Sequence, residues 1–126
     1  MPLEQVTDKN YRDFIASNKA VLVFSGDWCS DCKKFGPELE RVITESDDLN
    51  LGVRFGKVDV KPQSQRPNDE ICRLIMKRFP NGVGRVPRIE FYVDGYNVLA
   101  YSEAEATKEN LKIDYLKQQM ATYLGI

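Results

Sequence analysis

Two cysteines, Cys29 and Cys32, are separated by a serine and an aspartate. This spacing places two thiols one helical turn apart, where they can form a disulfide or hold a metal ion. The pair follows an apolar run at 20–24 and opens a stretch with helical periodicity. A thiol at a helix start meets unpaired backbone N–H groups and the positive end of the helix dipole, which favour the thiolate. We therefore predict thiol–disulfide exchange, with Cys29 as the nucleophile and Cys32 as the resolving thiol.

Metal binding is the alternative chemistry for this pair. Zinc takes four ligands, usually Cys and His, but the sequence has no histidine and only one further cysteine, Cys72. A zinc or iron–sulfur site would need a carboxylate or a second chain to complete it. We therefore expect no metal and no cofactor. Cys72 lies on the apolar face of a predicted helix, where a buried structural thiol is favoured over a regulatory one.

The bulk composition limits the possible functions. The chain has 126 residues, of which 42% are hydrophobic and 29% charged, so we expect one domain over residues 1–126 with its own core. A net charge of −1 gives no strong field for nucleic acid. No run reaches the length of a transmembrane helix, and the first nine residues lack the apolar segment of a secretory signal. We expect a cytoplasmic monomer that binds neither nucleic acid nor membrane, although a chain starting after a removed signal would look the same.

Apolar runs and turn signals predict the order β-α-β-α-β-α-β-β-α. The predicted elements are a short edge strand at Leu3–Val6, a helix from Thr7 or Asp8 to about Asn18, a strand at Ala20–Phe24, a helix at Ser30–Ser46, a strand at Arg54–Val60, a helix from Asn68 or Asp69 to Phe79, strands at Arg88–Val93 and Val98–Tyr101, and a helix at Thr107–Leu124. Asp94-Gly95 is a strong hairpin signal. The alternation predicts an α/β fold with a mixed sheet of about five strands and about four flanking helices.

Helical spacing of apolar residues also predicts which side chains face the core. They are Tyr11, Phe14 and Ile15 in the first helix, Phe35, Leu39, Val42 and Ile43 in the second, and Leu111, Tyr115, Leu116, Met120 and Tyr123 in the last. Pro37 lies inside the second predicted helix, where proline removes a backbone hydrogen bond and predicts a kink.

The segment 27–33, Asp-Trp-Cys-Ser-Asp-Cys-Lys, resembles the active-site segment of thioredoxins. Further resemblances follow in the family's order: Pro37 five residues after the second cysteine, Lys57 in the next strand, Val86-Pro87 before the fourth strand and Gly95 in the hairpin. The set spans nearly the whole chain. The sequence therefore resembles the thioredoxin superfamily, and it is similar to the small cytosolic thioredoxin-related proteins with a W-C-x-D-C site.

This resemblance implies a thioredoxin fold and an enzyme that reduces protein or small-molecule disulfides. Trp28 would shield the disulfide and line the substrate surface, with Arg88 beside it. Pro87 would be a cis-proline facing the cysteines, and the backbone of Val86 would pair with an extended substrate. The implied partners are disulfide-containing proteins or small thiols and a thioredoxin-reductase-like electron donor. A non-catalytic redox-sensing or partner-binding module on the same fold is the alternative.

Departures from the family pattern suggest which residues tune the thiols. Val23 stands where thioredoxins usually carry a buried acid. We hypothesise that Lys57 stabilises a Cys32 thiolate directly, while Asp59 or Asp27 relays protons through water. Asp31 opposes a thiolate by its charge, and Lys33, Lys34 and Arg88 would offset it.

The segment Lys61 to Arg85 is longer than its thioredoxin counterpart. Its basic residues Lys77, Arg78 and Arg85, with Arg88, would border the active site and select acidic partners or a small anionic disulfide. The alternative for Lys77 and Arg78 is an ordinary solvated helix face.

Overall fold

Five strands and three helices make up the part of the chain that the computed structural model describes, residues 3–27, 30–48, 51–60, 88–102 and 113–125. In chain order they are β1 (Glu4–Gln5), α1 (Tyr11–Ile15), β2 (Lys19–Ser25), α2 (Ser30–Asp48), β3 (Arg54–Asp59), β4 (Arg88–Val93), β5 (Tyr96–Ser102) and α3 (Ile113–Leu124). The helix predicted to end at Phe79 lies outside these residues. None of the described helices is both long and apolar enough to cross a membrane.

The strands form one mixed sheet in the order β1-β3-β2-β4-β5. β3 pairs in parallel with β1 and β2, whereas β4 pairs antiparallel with β2 and β5. Asp94 and Gly95 have φ values of 51° and 87°, the left-handed conformation that a tight hairpin turn requires. The mixed sheet, the edge position of β1 and the hairpin are therefore confirmed. β5 begins at Tyr96, two residues before the predicted start, because pairing with Val93 resumes directly after the turn.

Side chains of the central strand β2 alternate between two buried faces. On the α1 face, Leu22 and Phe24 belong to one apolar cluster with Phe14 of α1. On the α2–α3 face, Val21 and Val23 belong to a second cluster with the buried stripes of α2 and α3. These stripes contain Phe35, Leu39, Val42, Ile43, Leu116, Met120 and Leu124. The core positions predicted for the second helix are thus all confirmed.

The helices differ from the predictions in their bounds and in one core position. α1 ends at Ile15 instead of near Asn18, and α2 ends at Asp48 instead of about Ser46. α1 begins at Tyr11, not near Thr7, because Asn10 holds the preceding turn: its Oδ1 accepts from the Thr7 backbone N–H at 2.7 Å. Tyr123 was predicted to face the core but is 41% exposed. It lies about 60° around the helix from Met120, the centre of the buried stripe, in the last turn of α3.

Arg54 connects β3 to the first elements of the chain. Its Nε donates to Oε2 of Glu4 at 2.9 Å, and its Nη1 donates to Oγ of Ser17 at 2.7 Å. The guanidinium lies 5.1 Å from the ring centroid of Phe14. The hydrogen bond from Arg54 lowers the pKa of Glu4 below its ordinary value, against a smaller opposing effect of burial, and the same bond raises the pKa of Arg54.

We predict that Glu4→Gln lowers stability at neutral pH and has no effect in acid. Because the folded-state pKa of Glu4 is lowered, its contribution is present above the ordinary glutamate pKa and is lost as the pH falls through the lowered value. The pair is partly exposed, so the effect is modest and weakens with salt. Urea unfolding of both proteins across this range measures it. A difference that stays constant with pH would contradict the assignment.

Gly56 packs closely against the side chains of Phe14 and Val6, which leave no space for a further carbon unless one of them moves. A Cβ at this position would lie 2.6 Å from Cζ of Phe14 and 2.6 Å from Cγ2 of Val6. We predict that Gly56→Ala lowers the free energy of unfolding by about 1–3 kcal/mol, because a buried side chain must move. Gly36→Ala is the matched control, since nothing lies within 4 Å of the Cβ position of Gly36 in α2. We expect the free energy of unfolding of this variant to be unchanged or slightly raised. Equal effects in urea unfolding would refute the packing argument.

Candidate active site

The candidate site lies at the end of the sheet where β2 leads into α2. Ser25, the last residue of β2, is aligned with Asp59 of β3, and Phe24 is aligned with Arg88 of β4. We call the edge formed by Ser25, Asp59 and Arg88 the dithiol end, because the chain runs from it to the two cysteines. The backbone N–H of Val60 donates to the carbonyl of Ser25 at 2.7 Å, which continues the β2–β3 pairing to this edge.

Cys32 lies in the first turn of α2 and is 6% exposed. It belongs to the α1-face cluster, which also contains Phe24 and Val60. Burial disfavours the charged thiolate, whereas the start of a 19-residue helix favours it. A buried second thiol is what the resolving role requires, and that role remains a prediction. Pro37 lies inside α2, as the sequence predicted.

The position of the usual buried acid is apolar. Val23 is 1% exposed within the α2–α3 cluster and is aligned with Lys57 of β3. The Nζ of Lys57 lies 3.4 Å from Oδ1 of Asp59. Asp59 is two residues further along β3, on the same face of the sheet and nearer the dithiol end. Oδ2 of Asp59 accepts a hydrogen bond from Nε2 of Gln5 at 3.1 Å, a contact that sequence reasoning missed. Because both charges are partly exposed, this pair adds at most about 1 kcal/mol of stability.

Arg88 occupies the dithiol end, but its side chain is buried. It is 8% exposed, and its Nε donates to Oε2 of Glu90 at 2.9 Å. Glu90 is 0% exposed, and its Oε1 accepts from the hydroxyl of Tyr92 at 2.7 Å. Sequence reasoning proposed Arg88 as a substrate contact and missed Glu90 and Tyr92. The available signal was their spacing, since alternate residues of a strand share one face.

The other predicted site residues divide into two groups. Asp27, Lys33 and Lys34 are exposed near the start of α2, which also contains Asp31. Residues outside the described part of the chain are Trp28, Cys29, Cys72, Lys77, Arg78, Arg85, Val86 and Pro87. Within residues 3–27, 30–48, 51–60, 88–102 and 113–125, no group of three His, Cys, Asp or Glu side chains could hold a metal ion.

Comparison with known proteins identifies the family. The family model described as Thioredoxin matches residues 2–118. The chain belongs to the thioredoxin family. A thioredoxin of Chlamydia pneumoniae is 28% identical over 81 residues, which cover 64% of this chain and 79% of that protein.

Other thioredoxin-family relatives match over shorter segments. The putative thioredoxin 2 of Streptomyces coelicolor is 36% identical over 62 residues, covering 48% of this chain and 43% of that protein. The probable protein disulfide-isomerase A4 of Caenorhabditis elegans is 42% identical over 62 residues, covering 46% of this chain but 10% of that protein. This chain therefore spans less than half the length of both relatives.

Solved structures agree on the fold. Thioredoxin f2 of Chlamydomonas reinhardtii superposes with a TM-score of 0.66 at 20% identity, over 96% of this chain and 95% of that one. The oxidised thioredoxin of Plasmodium falciparum gives 0.65 at 21% identity, over 97% and 98%. At such identities the likeness establishes the thioredoxin fold and nothing finer.

We predict opposite effects on the pKa of Cys32 when either partner of the Lys57–Asp59 pair is removed. Lys57→Met removes a cation that would favour the thiolate and so raises the pKa. Asp59→Asn removes the carboxylate that holds the ammonium and so lowers it. Thiolate absorbance in a Cys29→Ser, Cys72→Ser background, where Cys32 is the last thiol, measures both shifts. If neither variant moves the titration, Lys57 does not tune this cysteine.

Proposed function

We propose that this protein is a thiol–disulfide oxidoreductase that reduces disulfides of proteins or small molecules through Cys29 and Cys32. The match of the thioredoxin family over residues 2–118 carries this proposal. The buried position of Cys32 in the first turn of α2 supports it, because a resolving thiol must be protected from outside disulfides. The absence of histidine leaves the two thiols, rather than a Cys-His relay, as the reacting groups.

The reaction proceeds in two exchanges. The Cys29 thiolate attacks one sulfur of the substrate disulfide, forms a mixed disulfide and releases the first substrate thiolate, which takes up a proton. Cys32, as a thiolate, then attacks the sulfur of Cys29 and releases the second substrate thiolate, which also takes up a proton. The substrate gains two electrons and two protons, and the protein is left with a Cys29–Cys32 disulfide. A thioredoxin-reductase-like donor returns the two electrons.

The substrate would bind beside the dithiol end. In this proposal Trp28 lines the substrate surface, Pro87 faces the thiols, and the backbone of Val86 pairs with an extended substrate segment. Arg88, the next residue along, is the described member of this group, and its alignment with Phe24 near the end of β2 supports the proposal. Asp27 and Asp31 contribute negative charge near the thiols. We propose a cytoplasmic monomer working in the reducing direction.

Turnover of insulin disulfides with dithiothreitol as donor tests the enzyme. We expect wild-type protein to accelerate reduction, Cys29→Ser to abolish it, and Cys32→Ser to accumulate a mixed disulfide with substrate, because the second exchange cannot occur. Cys72→Ser is the matched control and should retain turnover, since that thiol has no part in either exchange.

Two results together would instead favour the redox-sensing or partner-binding module. Wild-type protein would show no turnover, and Cys29→Ser would bind partner proteins with the same affinity as wild type.

A further inference from the structure

A fully buried carboxylate near the dithiol end has no part in the exchange reaction. Glu90 is 0% exposed at the centre of β4. Each of its oxygens accepts a hydrogen bond from a side chain two residues away on the same strand, Nε of Arg88 at 2.9 Å and the hydroxyl of Tyr92 at 2.7 Å. We call Arg88, Glu90 and Tyr92 the β4 polar row.

On the β2 side, the β4 polar row borders apolar residues. Its neighbours in β2, aligned with it across the sheet, are Phe24, Leu22 and Ala20, each at most 1% exposed. A buried ion pair loses much hydration, and replacing such a pair with apolar side chains of similar size often leaves stability unchanged or raises it. The stability of the fold therefore does not explain why charged side chains are buried here. A buried network whose hydrogen bonds are satisfied does, however, hold its side chains in one arrangement.

One end of the β4 polar row, at Arg88, lies at the dithiol end. β4 runs antiparallel to β2, so its first residue lies at the end where β2 leads to the cysteines. Glu90 lies two residues, or about 7 Å, deeper in the sheet than Arg88. An arginine at a strand terminus would ordinarily retain much conformational freedom. The side chain of Arg88 is bound to the carboxylate of Glu90, which in turn accepts a hydrogen bond from Tyr92. These contacts restrict the conformations of Arg88 at the dithiol end.

We propose that Glu90 is a positioning residue for substrate binding. It holds Arg88 at the start of β4, directly after Val86 and Pro87 in the chain, and so sets the affinity for extended peptide disulfides. The inference rests on the proposed function, in which the backbone of Val86 pairs with the substrate. Restricting a binding segment before the substrate arrives reduces the entropy lost on binding. A small disulfide has no extended backbone to pair, so it does not benefit.

The test compares two disulfides, insulin and the small neutral bis(2-hydroxyethyl) disulfide, with wild-type protein and two variants. Glu90→Gln keeps the shape but removes the charge that holds Arg88, and Tyr92→Phe removes one hydrogen bond to the carboxylate. For Glu90→Gln we expect KM for insulin to rise about tenfold, equivalent to about 1.4 kcal/mol. We expect kcat for insulin, and kcat/KM for the small disulfide, to stay within about twofold of wild type. Tyr92→Phe should show a smaller rise in the same KM.

Glu4→Gln is the matched control. It makes the same change in another arginine–glutamate pair, with an Nε–Oε2 distance of 2.9 Å, but Arg54 is aligned with Ala20 at the other end of β2. We expect it to leave KM for insulin unchanged. If Glu90→Gln changes both substrates equally, or neither, the positioning role is refuted. If that variant does not fold, the KM of Tyr92→Phe decides by the same criterion. Failure of wild-type protein to reduce either disulfide would refute the proposed function instead.

Discussion

Strand β2 is hydrogen-bonded on both sides, in parallel to β3 and antiparallel to β4, and its residues 20–24 are at most 1% exposed. A slip of one residue in either pairing would move every side chain of the strand to the opposite face, so the buried apolar residues fix the register. That register aligns Ser25 with Asp59 and Phe24 with Arg88. The position of every described polar group near the cysteines depends on this central strand.

Much of the fold was predictable because its strongest signals are local. The uninterrupted apolar run of β2 indicates a strand buried on both faces, and Asp94-Gly95 indicates a turn that needs positive φ. Helix boundaries were less predictable. The start of α1 depends on a hydrogen bond from the Thr7 backbone to Asn10, which periodicity does not contain. Likewise, Tyr123 lies beside the buried stripe of α3 and not in it, a distinction that apolar spacing alone does not make.

The site was predictable to the extent that its chemistry is carried by residue type and spacing. The two thiols, the helix that follows them and the missing acid at Val23 are all visible in sequence. The β4 polar row was not, because a glutamate in a strand is normally read as solvent-facing. Its burial follows from the sheet order, which places β4 between β2 and β5, and from cover on the α1 face. Such information is tertiary and cannot be read from one strand.

The chain therefore keeps the thioredoxin framework while distributing its charges differently. On the α2–α3 face, Val23 is apolar and Lys57 pairs with Asp59, at the end of β3. On the opposite face, the buried carboxylate of Glu90 pairs with Arg88. Charged side chains therefore lie on both sides of the central sheet, Lys57 and Asp59 on one side and Arg88 and Glu90 on the other.

The compactness of the β4 polar row has an evolutionary consequence. All three side chains come from five consecutive residues of one strand, and the two hydrogen bonds that join them lie within that strand. Its members are interdependent, because removing the carboxylate at position 90 would take away the hydrogen bond that Arg88 and Tyr92 each donate to it. The three positions are therefore expected to be inherited, or lost, as a block. The same five-residue segment is also a natural unit to graft onto the fourth strand of another thioredoxin.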